Sequence, residues 1–576
     1  MTSSIWISNL LLVVTAWLAY GVKAEETPRV TLPHSSTVVS GITLDYEEAE
    51  YLRVSTTFQA YLGIPYAEPP VGDLRFEKPV KKGDLGKTYL AVNDRAICPQ
   101  MSPVDDLFPI PIFRNVDEDC LYLNVHTPSP RPTGAPVLVW FHGGMYTVGA
   151  GSSFVYEPVA LMAFTEDFIV VTVNYRLGVF GFLTTGDTTA PGNYGMFDQV
   201  MALQWVQDNI EAFGGDPSRV TIMGQSAGSA SVGLHVLSPQ SSGLFQQAIM
   251  ESGNALCPWA VDTNIDRQIA LSDEIAKQVG CYSADSQDLV SCLRTVDEPT
   301  LTRAQIIISA QYLLNEMLFV PVVDYDFLPD LPINIVQRSE FNSVPTLLGT
   351  NQDEGTFAVM RAFPTYVVRK EPPPMSFSQL QEMFPQYLYY SSPTLTEVAE
   401  QWYVDWTKAD DPSADHLDAF IEMNTDQTFA CATEVMARAL SQSGAPTFRY
   451  EMTHDPAWSI IAGIPTWIGA GHGEELQYVF GWAFNDLFGR FVGQTEEEKT
   501  MSLQFMTYWT NFIRTGDPNS AESSYPPWPT FSVPELKYKQ LSLGMENSRA
   551  LRMDNCALWL NLAPDLYAQD MQYNNQ

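Results

Sequence analysis

Short, unbroken runs of apolar residues recur along the chain. They are rich in β-branched and aromatic residues and lie at 137–141, 168–173, 219–223, 247–250, 344–348 and 447–452. Runs that are apolar at every position are typical of strands covered by helices on both faces. Between the second and third runs, residues 199–213 space their apolar side chains three and four apart, which predicts an amphipathic helix that GGDP at 214–217 ends. The pattern predicts an α/β fold, a mostly parallel central sheet flanked by helices.

The third apolar run leads into the sequence GQSAG at 224–228, followed by small residues at 227–237 that are expected to form a helix. A Gly-x-Ser-x-Gly turn between a strand and a helix holds its serine in a strained position suited to a nucleophile. The helix N-terminus also offers N–H groups to a developing oxyanion. Ser226 is therefore the candidate nucleophile, and a tight turn with an inert serine is the alternative.

A serine hydroxyl needs a base to take its proton and an acid to orient that base. In this arrangement the acid and then the histidine follow the serine, each at the end of a later strand. His235 lies in the helix after the serine and is expected to be structural, and His416 lies in an acidic stretch typical of a solvated face. His454 ends the last apolar run and remains a candidate. His472, between two glycines in a loop, is the preferred base.

The acid is less well defined by the sequence. The run at 344–348 leads into GTNQDEG at 349–355, where Asp353 and Glu354 are adjacent carboxylates. Periodicity does not choose between them, and a polar turn without a catalytic role would have the same composition. Both residues therefore remain candidates at this point.

A second glycine-rich segment, FHGGMY at 141–146, follows the first apolar run. Such a loop can present backbone N–H groups to a carbonyl oxygen, opposite the N–H of the residue after the nucleophile. Loss of one such donor typically costs about 3–4 kcal/mol of transition-state stabilisation. The segment is a candidate oxyanion loop.

The first residues are expected to be a targeting segment. Residues 5–22 are largely apolar and end at Val22-Lys23-Ala24, which fits the small-residue rule for signal-peptide cleavage. We predict a signal peptide at 1–24, one domain at 25–576 and secretion, with an uncleaved membrane anchor as the alternative. No later segment is apolar and long enough for a membrane anchor.

Charge and cysteine content narrow the choice of partners. The chain has 31 basic and 67 acidic residues and a net charge of −36, which argues against binding a nucleic-acid backbone. Seven cysteines fit three disulfides and one free thiol in an oxidising compartment. No paired cysteine or histidine spacing typical of zinc ligands occurs, so no metal is expected.

Taken together, these motifs resemble those of the type-B carboxylesterases, the family that includes cholinesterases, bile-salt-activated lipase, insect esterases and the non-enzymatic neuroligins. The similarity runs from about Val38 to Pro564. The matching segments are EDCLYLN at 118–124, NYG at 193–195, DQ at 198–199, GQSAG at 224–228, DEG at 353–355 and HG at 472–473.

The resemblance implies roles that the residue patterns left open. Ser226 would be the nucleophile, Glu354 the acid and His472 the base, with no metal or organic cofactor. The oxyanion donors would be the N–H groups of Gly144, Met145 and Ala227. The resemblance also implies a free Cys257 and the disulfides Cys98–Cys120, Cys281–Cys292 and Cys431–Cys556.

Met145 departs from a common pattern of the family, because many relatives have a third glycine there. Its N–H would remain a donor, so no hydrogen bond to the oxyanion is lost. A positive φ at this position would cost about 1–2 kcal/mol. The side chain is therefore expected to change substrate shape and rate more than the chemistry.

The expected substrate pocket differs from that of cholinesterases. Ile110 stands where those enzymes have the tryptophan that binds a quaternary ammonium, and it has no ring to attract a cation. Neutral Gln225 replaces an acidic residue before the nucleophile. Asn315 and Met317 stand where cholinesterases have the bulky phenylalanines that narrow the acetyl pocket. The residues expected to line the pocket are Gln225, Trp259, Asn315, Met317 and Phe357.

The sequence therefore predicts a secreted serine esterase that acts on small, neutral and fairly apolar carboxylic esters. Hydrolysis of choline esters or of a juvenile-hormone-like methyl ester is the narrower alternative. A non-catalytic adhesion or ligand-binding relative is the alternative from another class. Such relatives usually lack the serine or the histidine, whereas Ser226, Glu354 and His472 are all present here.

Overall fold

The computed structural model of the chain describes residues 28–100, 115–312, 317–367, 369–389, 391–459, 467–485, 489, 493–520 and 525–574. The predicted signal peptide and Ile110 and Asn315 lie outside these residues. The strands, in chain order, are β1 Arg29–Thr31, β2 Val38–Ser40, β3 Ile42–Glu48, β4 Val54–Pro65, β5 Thr88–Leu90, β6 Tyr122–Ser129, β7 Ala135–Phe141, β8 Ile169–Val173, β9 Gly215–Gln225, β10 Gln247–Glu251, β11 Thr346–Asn351, β12 Thr447–Met452, β13 Lys537–Leu541 and β14 Asn547–Arg549.

The α-helices of the described residues lie mostly between and after the strands. In chain order they are α1 Val159–Thr165, α2 Gly178–Phe182, α3 Tyr194–Asn209, α4 Ala227–Leu237, α5 Ile265–Gln278, α6 Ser286–Leu293, α7 Glu298–Ser309, α8 Pro332–Arg338, α9 Thr356–Ala362, α10 Phe377–Tyr387, α11 Pro393–Tyr403, α12 Leu417–Thr425, α13 Cys431–Gln442, α14 Leu476–Val479, α15 Glu496–Thr515, α16 Met553–Ala557 and α17 Ala563–Asn574.

One large sheet organises the fold. Among the described residues eleven strands join it, in the order β14-β13-β12-β11-β10-β9-β7-β8-β6-β4-β3. The pairs from β8 through β7, β9, β10, β11 and β12 to β13 are parallel, and the pairs at the two ends are antiparallel. This is the mostly parallel sheet that the apolar runs predict, so the predicted α/β architecture is confirmed, and it is the α/β-hydrolase fold that the resemblance to type-B carboxylesterases implies.

Side chains of the central strands alternate between two cores, one on each face of the sheet. In β7, Val137, Val139 and Phe141 belong to one buried cluster. Leu138 and Trp140 belong to another, together with residues of α15. Because both faces are covered, these strands are apolar at every position.

Helix α3 begins earlier than its periodic pattern predicts. It starts at Tyr194, after Asn193 in a left-handed conformation at φ 59°. Its first turn is buried almost throughout, so the alternation of apolar and polar positions begins only near residue 199. The last predicted residues form a 3-10 turn at Ile210–Phe213, and Gly214 ends it at φ 95°.

Three disulfides lie in the described residues. They join Cys98 to Cys120, Cys281 to Cys292 and Cys431 to Cys556, while Cys257 is a buried free thiol. This is the pairing that the family resemblance implies. None of the helices in the described residues is both long and apolar enough to span a bilayer.

Candidate active site

Ser226 lies at the sharp turn between β9 and α4. Its backbone, at φ 58° and ψ −125°, is in a region that non-glycine residues rarely adopt. The turn brings backbone segments so close together that two of its positions have room only for glycine. A Cβ on Gly224 would lie 2.4 Å from the carbonyl carbon of Gly228, and one on Gly228 would lie 2.0 Å from the carbonyl oxygen of Phe141.

The imidazole of His472 joins this serine to a carboxylate. Its Nε2 lies 2.8 Å from Ser226 Oγ, and its Nδ1 lies 2.5 Å from Glu354 Oε2. The three residues are 6%, 7% and 0% exposed in the order serine, histidine, glutamate. Low exposure strengthens electrostatic interactions within such a chain of groups.

The sheet topology brings these three side chains together from distant positions. Ser226 follows β9, Glu354 follows β11, and His472 comes after β12, which ends at Met452. These strands are parallel, so their carboxyl ends meet at one edge of the sheet. The serine and the histidine are 246 residues apart in sequence, and the histidine and the glutamate 118.

Glu354, and not Asp353, contacts the imidazole. Its second oxygen, Oε1, accepts a hydrogen bond of 2.8 Å from the backbone N–H of Asn351. The Asn351 side chain donates to the carbonyl oxygen of Gly471, next to the histidine, at 2.7 Å. Periodicity could not choose between the two carboxylates, and in the structure Glu354 is the one that contacts His472.

The glycine-rich segment after β7 lies beside the serine. A Cβ on Gly143 would lie 2.6 Å from the carbonyl oxygen of Gln225 and 3.1 Å from Ser226 Cβ, so only glycine fits here without a shift. Gly144 has φ 111°. Among the described residues, the N–H groups of Gly144 and Met145 have no hydrogen-bond acceptor, so both are available to a bound molecule.

Met145 adopts a positive φ. Its φ is 58°, and that of Tyr146 is 57°. Two successive non-glycine residues in this region carry a backbone cost of about 1–2 kcal/mol each. The loop is therefore held in this shape by its surroundings, including the two bonds of 2.9 Å from the N–H groups of Thr147 and Val148 to the Gly144 carbonyl.

His142, the residue before the two glycines of this loop, is fixed by contacts with Tyr175. Its ring stacks on Tyr175 with centroids 4.4 Å apart, and the Tyr175 hydroxyl donates to the His142 carbonyl oxygen at 2.7 Å. Burial lowers the pKa of His142 to about 4, so the imidazole is neutral at physiological pH. A buried neutral ring adds packing to this loop without adding a charge near the serine.

Several of the predicted pocket residues lie close to His472. The amide nitrogen of Gln225 is 3.4 Å from His472 Nε2, and the Phe357 ring is 5.1 Å from the imidazole. Trp259 packs on Phe429, whose own ring lies 4.9 Å from the imidazole. The wall around the imidazole is therefore largely aromatic.

Sequence reasoning did not find Phe429, because it lies in a π-helical segment, Asp426–Ala430, with no recognisable motif. Met317, another predicted pocket residue, is half-buried and packs against the larger core cluster. None of its described contacts is with Ser226, His472 or Glu354.

The three other histidines that follow Ser226 in sequence lie elsewhere. His235 is buried and bonds Ser241 and Gln199, as expected of a structural residue. His454 contacts Glu498 at 3.0 Å and not the serine. The prediction that His416 lies on a solvated face is wrong: it is 3% exposed, because its ring packs on Phe377, 5.5 Å between centroids.

Two further carboxyl groups lie behind Glu354. Glu475 Oε2 accepts a hydrogen bond from the Asn351 side chain at 2.5 Å, and Glu251 Oε1 accepts one from Trp509 at 2.5 Å. Burial raises the pKa of Glu475, and the charge of Glu354 raises it further. Burial and the charge of Glu475 raise the pKa of Glu251 well above its ordinary value. The only signal for Glu475 in the sequence is its spacing of three residues from His472.

No set of three or more His, Cys, Asp or Glu side chains suited to a metal ion occurs in the part of the chain that the structure describes. The chemistry that this arrangement can perform is that of a buried hydroxyl, an imidazole in contact with it, and a carboxylate that orients the imidazole. With two backbone donors nearby, these groups suit nucleophilic attack on a carbonyl carbon.

Comparison with known proteins agrees with this chemistry. The model of the carboxylesterase family matches residues 28–559. The acetylcholinesterase of Bungarus fasciatus is 35% identical over 516 residues, which cover 88% of this chain and 83% of that protein. The cholinesterase of Mus musculus is 36% identical over 529 residues, which cover 87% of this chain and 83% of that protein. The chain therefore belongs to the carboxylesterase family and is a serine hydrolase of carboxylic esters.

Proposed function

We propose that the protein is a secreted esterase for neutral, fairly apolar carboxylic esters, with Ser226, His472 and Glu354 as its catalytic residues. The observation that carries this proposal is the continuous contact from Ser226 Oγ through both nitrogens of His472 to Glu354 Oε2, in a buried site. The proposed mechanism follows from that contact.

In the first step, His472 Nε2 takes the hydroxyl proton of Ser226 while Oγ bonds to the carbonyl carbon of the ester. The carbonyl oxygen becomes an oxyanion. The imidazolium then gives its proton to the alcohol oxygen as that bond breaks, which leaves an acyl group on Ser226. A water molecule repeats the sequence, loses a proton to His472 and releases the acid.

Backbone N–H groups are proposed to stabilise the two oxyanions. Those of Gly144 and Met145 come from the loop after β7, and that of Ala227 is at the N-terminus of α4. Donors that are already oriented cost no rearrangement during the reaction, and each is typically worth about 3–4 kcal/mol. Glu354 holds His472 in the tautomer that accepts at Nε2 and stabilises the imidazolium.

Neutral, apolar esters fit the surroundings of the imidazole best. Phe357, Phe429 and Trp259 supply aromatic surface, and the polar group of Gln225, 3.4 Å from His472 Nε2, is an uncharged amide. An ester with an apolar acyl or alcohol group would bury that surface without leaving a charge unpaired.

Choline esters are the second candidate, because the two relatives carry the names acetylcholinesterase and cholinesterase. The net charge of −36 would also attract a cation over long distances. Against them, Ile110 has no aromatic face for the ammonium group. Neutral substrates therefore remain the preferred proposal.

Secretion is proposed from the apolar segment at 5–22 and the small-residue site at Ala24. Three disulfides are consistent with it, since such bonds persist in oxidising compartments. Expression of the full chain, followed by N-terminal sequencing of the protein in the medium, tests this point. A mature N-terminus at Glu25 is the expected result.

The catalytic assignment is tested with Ser226→Ala and an alkylphosphonate probe, with nitrophenyl acetate as the substrate. We expect wild-type turnover and probe labelling to be lost together, with kcat lower by about a million-fold. Ser231→Ala is the control, because this serine lies on the same helix and bonds the Ala227 carbonyl instead of His472. Turnover that survives in Ser226→Ala would contradict the proposal, and an inert but folded wild type would favour the binding relative.

Substrate class is tested separately by comparing kcat/KM for nitrophenyl acetate, nitrophenyl butyrate and acetylthiocholine. We expect both neutral esters to be hydrolysed with the higher kcat/KM. A higher value for the choline ester would favour the second candidate and show that Ile110 does not decide cation binding.

A further inference from the structure

The loop that carries His472 is not part of the sheet. It follows β12 by about twenty residues, and its only strand-like contact among the described residues is an isolated bridge between Gly471 and Asp353. Its position relative to Ser226 therefore depends on contacts with neighbouring loops. One of these is the loop after β11, which carries Glu354.

Asp353 makes two hydrogen bonds to the histidine loop. Its backbone N–H donates to the carbonyl oxygen of Ala470 at 2.9 Å. Its side-chain Oδ2 accepts from the N–H of Ala470 at 3.0 Å. One residue thus binds both backbone groups of Ala470, two positions before His472.

The fit around this carboxylate is close. Gly469 adopts φ 67°, and a Cβ there would lie only 2.5 Å from Asp353 Oδ2. The carbonyl oxygen of Asp353 accepts hydrogen bonds from the N–H of Thr356 at 2.9 Å and from its hydroxyl at 2.7 Å. The residue is therefore fixed on its own loop while it holds the other.

Three charged side chains from elsewhere in the chain act on Asp353, namely Arg552, Glu451 and Asp455. Arg552, near the C-terminus, donates to the Gln352 carbonyl at 2.8 Å, and Glu451 of β12 lines the same cleft of about 800 Å³ as Asp353. Burial raises the pKa of Asp353 to about 6, and the N–H of Ala470 and the charge of Arg552 oppose that rise. The side chain is thus ionised above about pH 6.

We infer that Asp353 is a positioning residue, which holds the His472 loop so that the imidazole reaches Ser226. The inference rests on the proposed function. The two adjacent carboxylates have different tasks: Glu354 binds the imidazole directly, and Asp353 binds the backbone that carries it. Neither can replace the other, because their side chains point to different atoms.

The test compares Asp353→Ala with Asp353→Asn. Alanine removes the acceptor, whereas asparagine keeps an oxygen where Oδ2 lies. Asp418→Asn is the matched control, since this exposed carboxylate lines the same cleft but makes none of the described contacts with the histidine loop. Active sites are counted by complete reaction with the phosphonate probe, so that kcat is expressed per folded site.

We expect Asp353→Ala to lower kcat by about 10- to 100-fold, as small displacements of catalytic groups do, with KM little changed. Asp353→Asn should retain most of the activity, and Asp418→Asn all of it. An Asp353→Ala protein with wild-type kcat per site would overturn the inference, as would an Asp353→Asn protein that is equally impaired.

Hydrogen–deuterium exchange gives a readout that does not depend on activity. The amide of Ala470 should exchange about 10-fold faster or more in Asp353→Ala, because its hydrogen bond to a charged acceptor is lost, and at nearly the wild-type rate in Asp353→Asn. Unchanged exchange in Asp353→Ala would refute the contact itself. An inert wild type with the expected exchange would instead refute only the proposed function.

Discussion

At the scale of single residues, the glycine-rich loop after β7 concentrates backbone strain next to Ser226. Met145 and Tyr146 both have positive φ, and so does Ser226 itself. Strain of this kind persists where the surroundings fix the backbone, and it often accompanies catalytic sites. A side chain at position 145 thus adds volume and strain but leaves its N–H in place.

Replacing Met145 separates these two effects. Alanine removes most of the side chain but keeps the unfavourable φ, whereas glycine removes both. We expect Met145→Gly to exceed Met145→Ala in free energy of unfolding by about 1 kcal/mol, measured by urea denaturation. Both variants keep the N–H, so their kcat for nitrophenyl acetate should stay within a few-fold of wild type. A glycine variant less stable than the alanine variant would contradict the strain at this position.

Residue identity predicted the serine, because the Gly-x-Ser-x-Gly sequence lies between a strand and a helix. It could not predict which of two adjacent carboxylates contacts His472, since the directions of the two side chains depend on the turn and on the loop of His472. Phe429 was not predictable either, because an aromatic residue in a helical segment usually belongs to a core. His416 was predicted wrongly to be exposed, because the acidic residues around it in sequence are typical of a surface and its contact with Phe377 has no signal in the sequence.

At the scale of elements, a disulfide joins helix α16, near the end of the chain, to helix α13. Cys431 is the first residue of α13, and Cys556 lies in α16, 125 residues later. Beside it, Arg552 pairs with Asp426 at 2.9 Å. The Cys281–Cys292 bond closes a loop with a separation of only 11 residues.

Removal of the long-range disulfide should be the more costly of the two. The double variant Cys431→Ser/Cys556→Ser should lose about 2 kcal/mol more free energy of unfolding than Cys281→Ser/Cys292→Ser, because the larger loop restricts the unfolded chain more. The midpoint of urea denaturation, under oxidising conditions, measures the difference. Equal losses would show that loop length does not govern this bond.

The strands were predictable as elements because their apolar runs reflect burial on both faces. The ends of the strands were less predictable. For example, β9 begins at Gly215, in the segment that was expected only to end the preceding helix. The sequence marks where a helix stops but not where the next strand joins its neighbour, since that depends on β7 alongside. The loop of His472 has no such pattern at all.

At the scale of the whole molecule, the stability of the protein depends on two buried acids near the site, Glu251 and Glu475, whose pKa values are raised. The pKa of Glu251 lies well above its ordinary value because of burial and the charge of Glu475. A carboxyl of this kind binds its proton more tightly in the folded protein. Its contribution to stability is therefore full below its ordinary pKa of 4.5 and is lost as the pH rises through the raised value.

Glu251→Gln should remove that dependence. Relative to wild type, the variant should gain free energy of unfolding as the pH rises from 5 to 8, by about 1.4 kcal/mol for each pH unit of this range that lies below the raised pKa. Urea denaturation at the two pH values measures the gain. Glu546→Gln, at an exposed position, is the control and should show no such gain. Parallel behaviour of the two variants would mean that folding does not raise the pKa of Glu251.

The order of the strands also bears on when the enzyme gains its activity. From β9 outward, β10, β11, β12 and β13 join the sheet in the order in which a ribosome makes them. A nascent chain could thus add each new strand to the one just folded. Ser226 is in place early, but the imidazole arrives only after β12. While the 246 residues between them are made, the polypeptide would hold an alcohol without the imidazole that the proposed mechanism requires, and so could not yet attack esters.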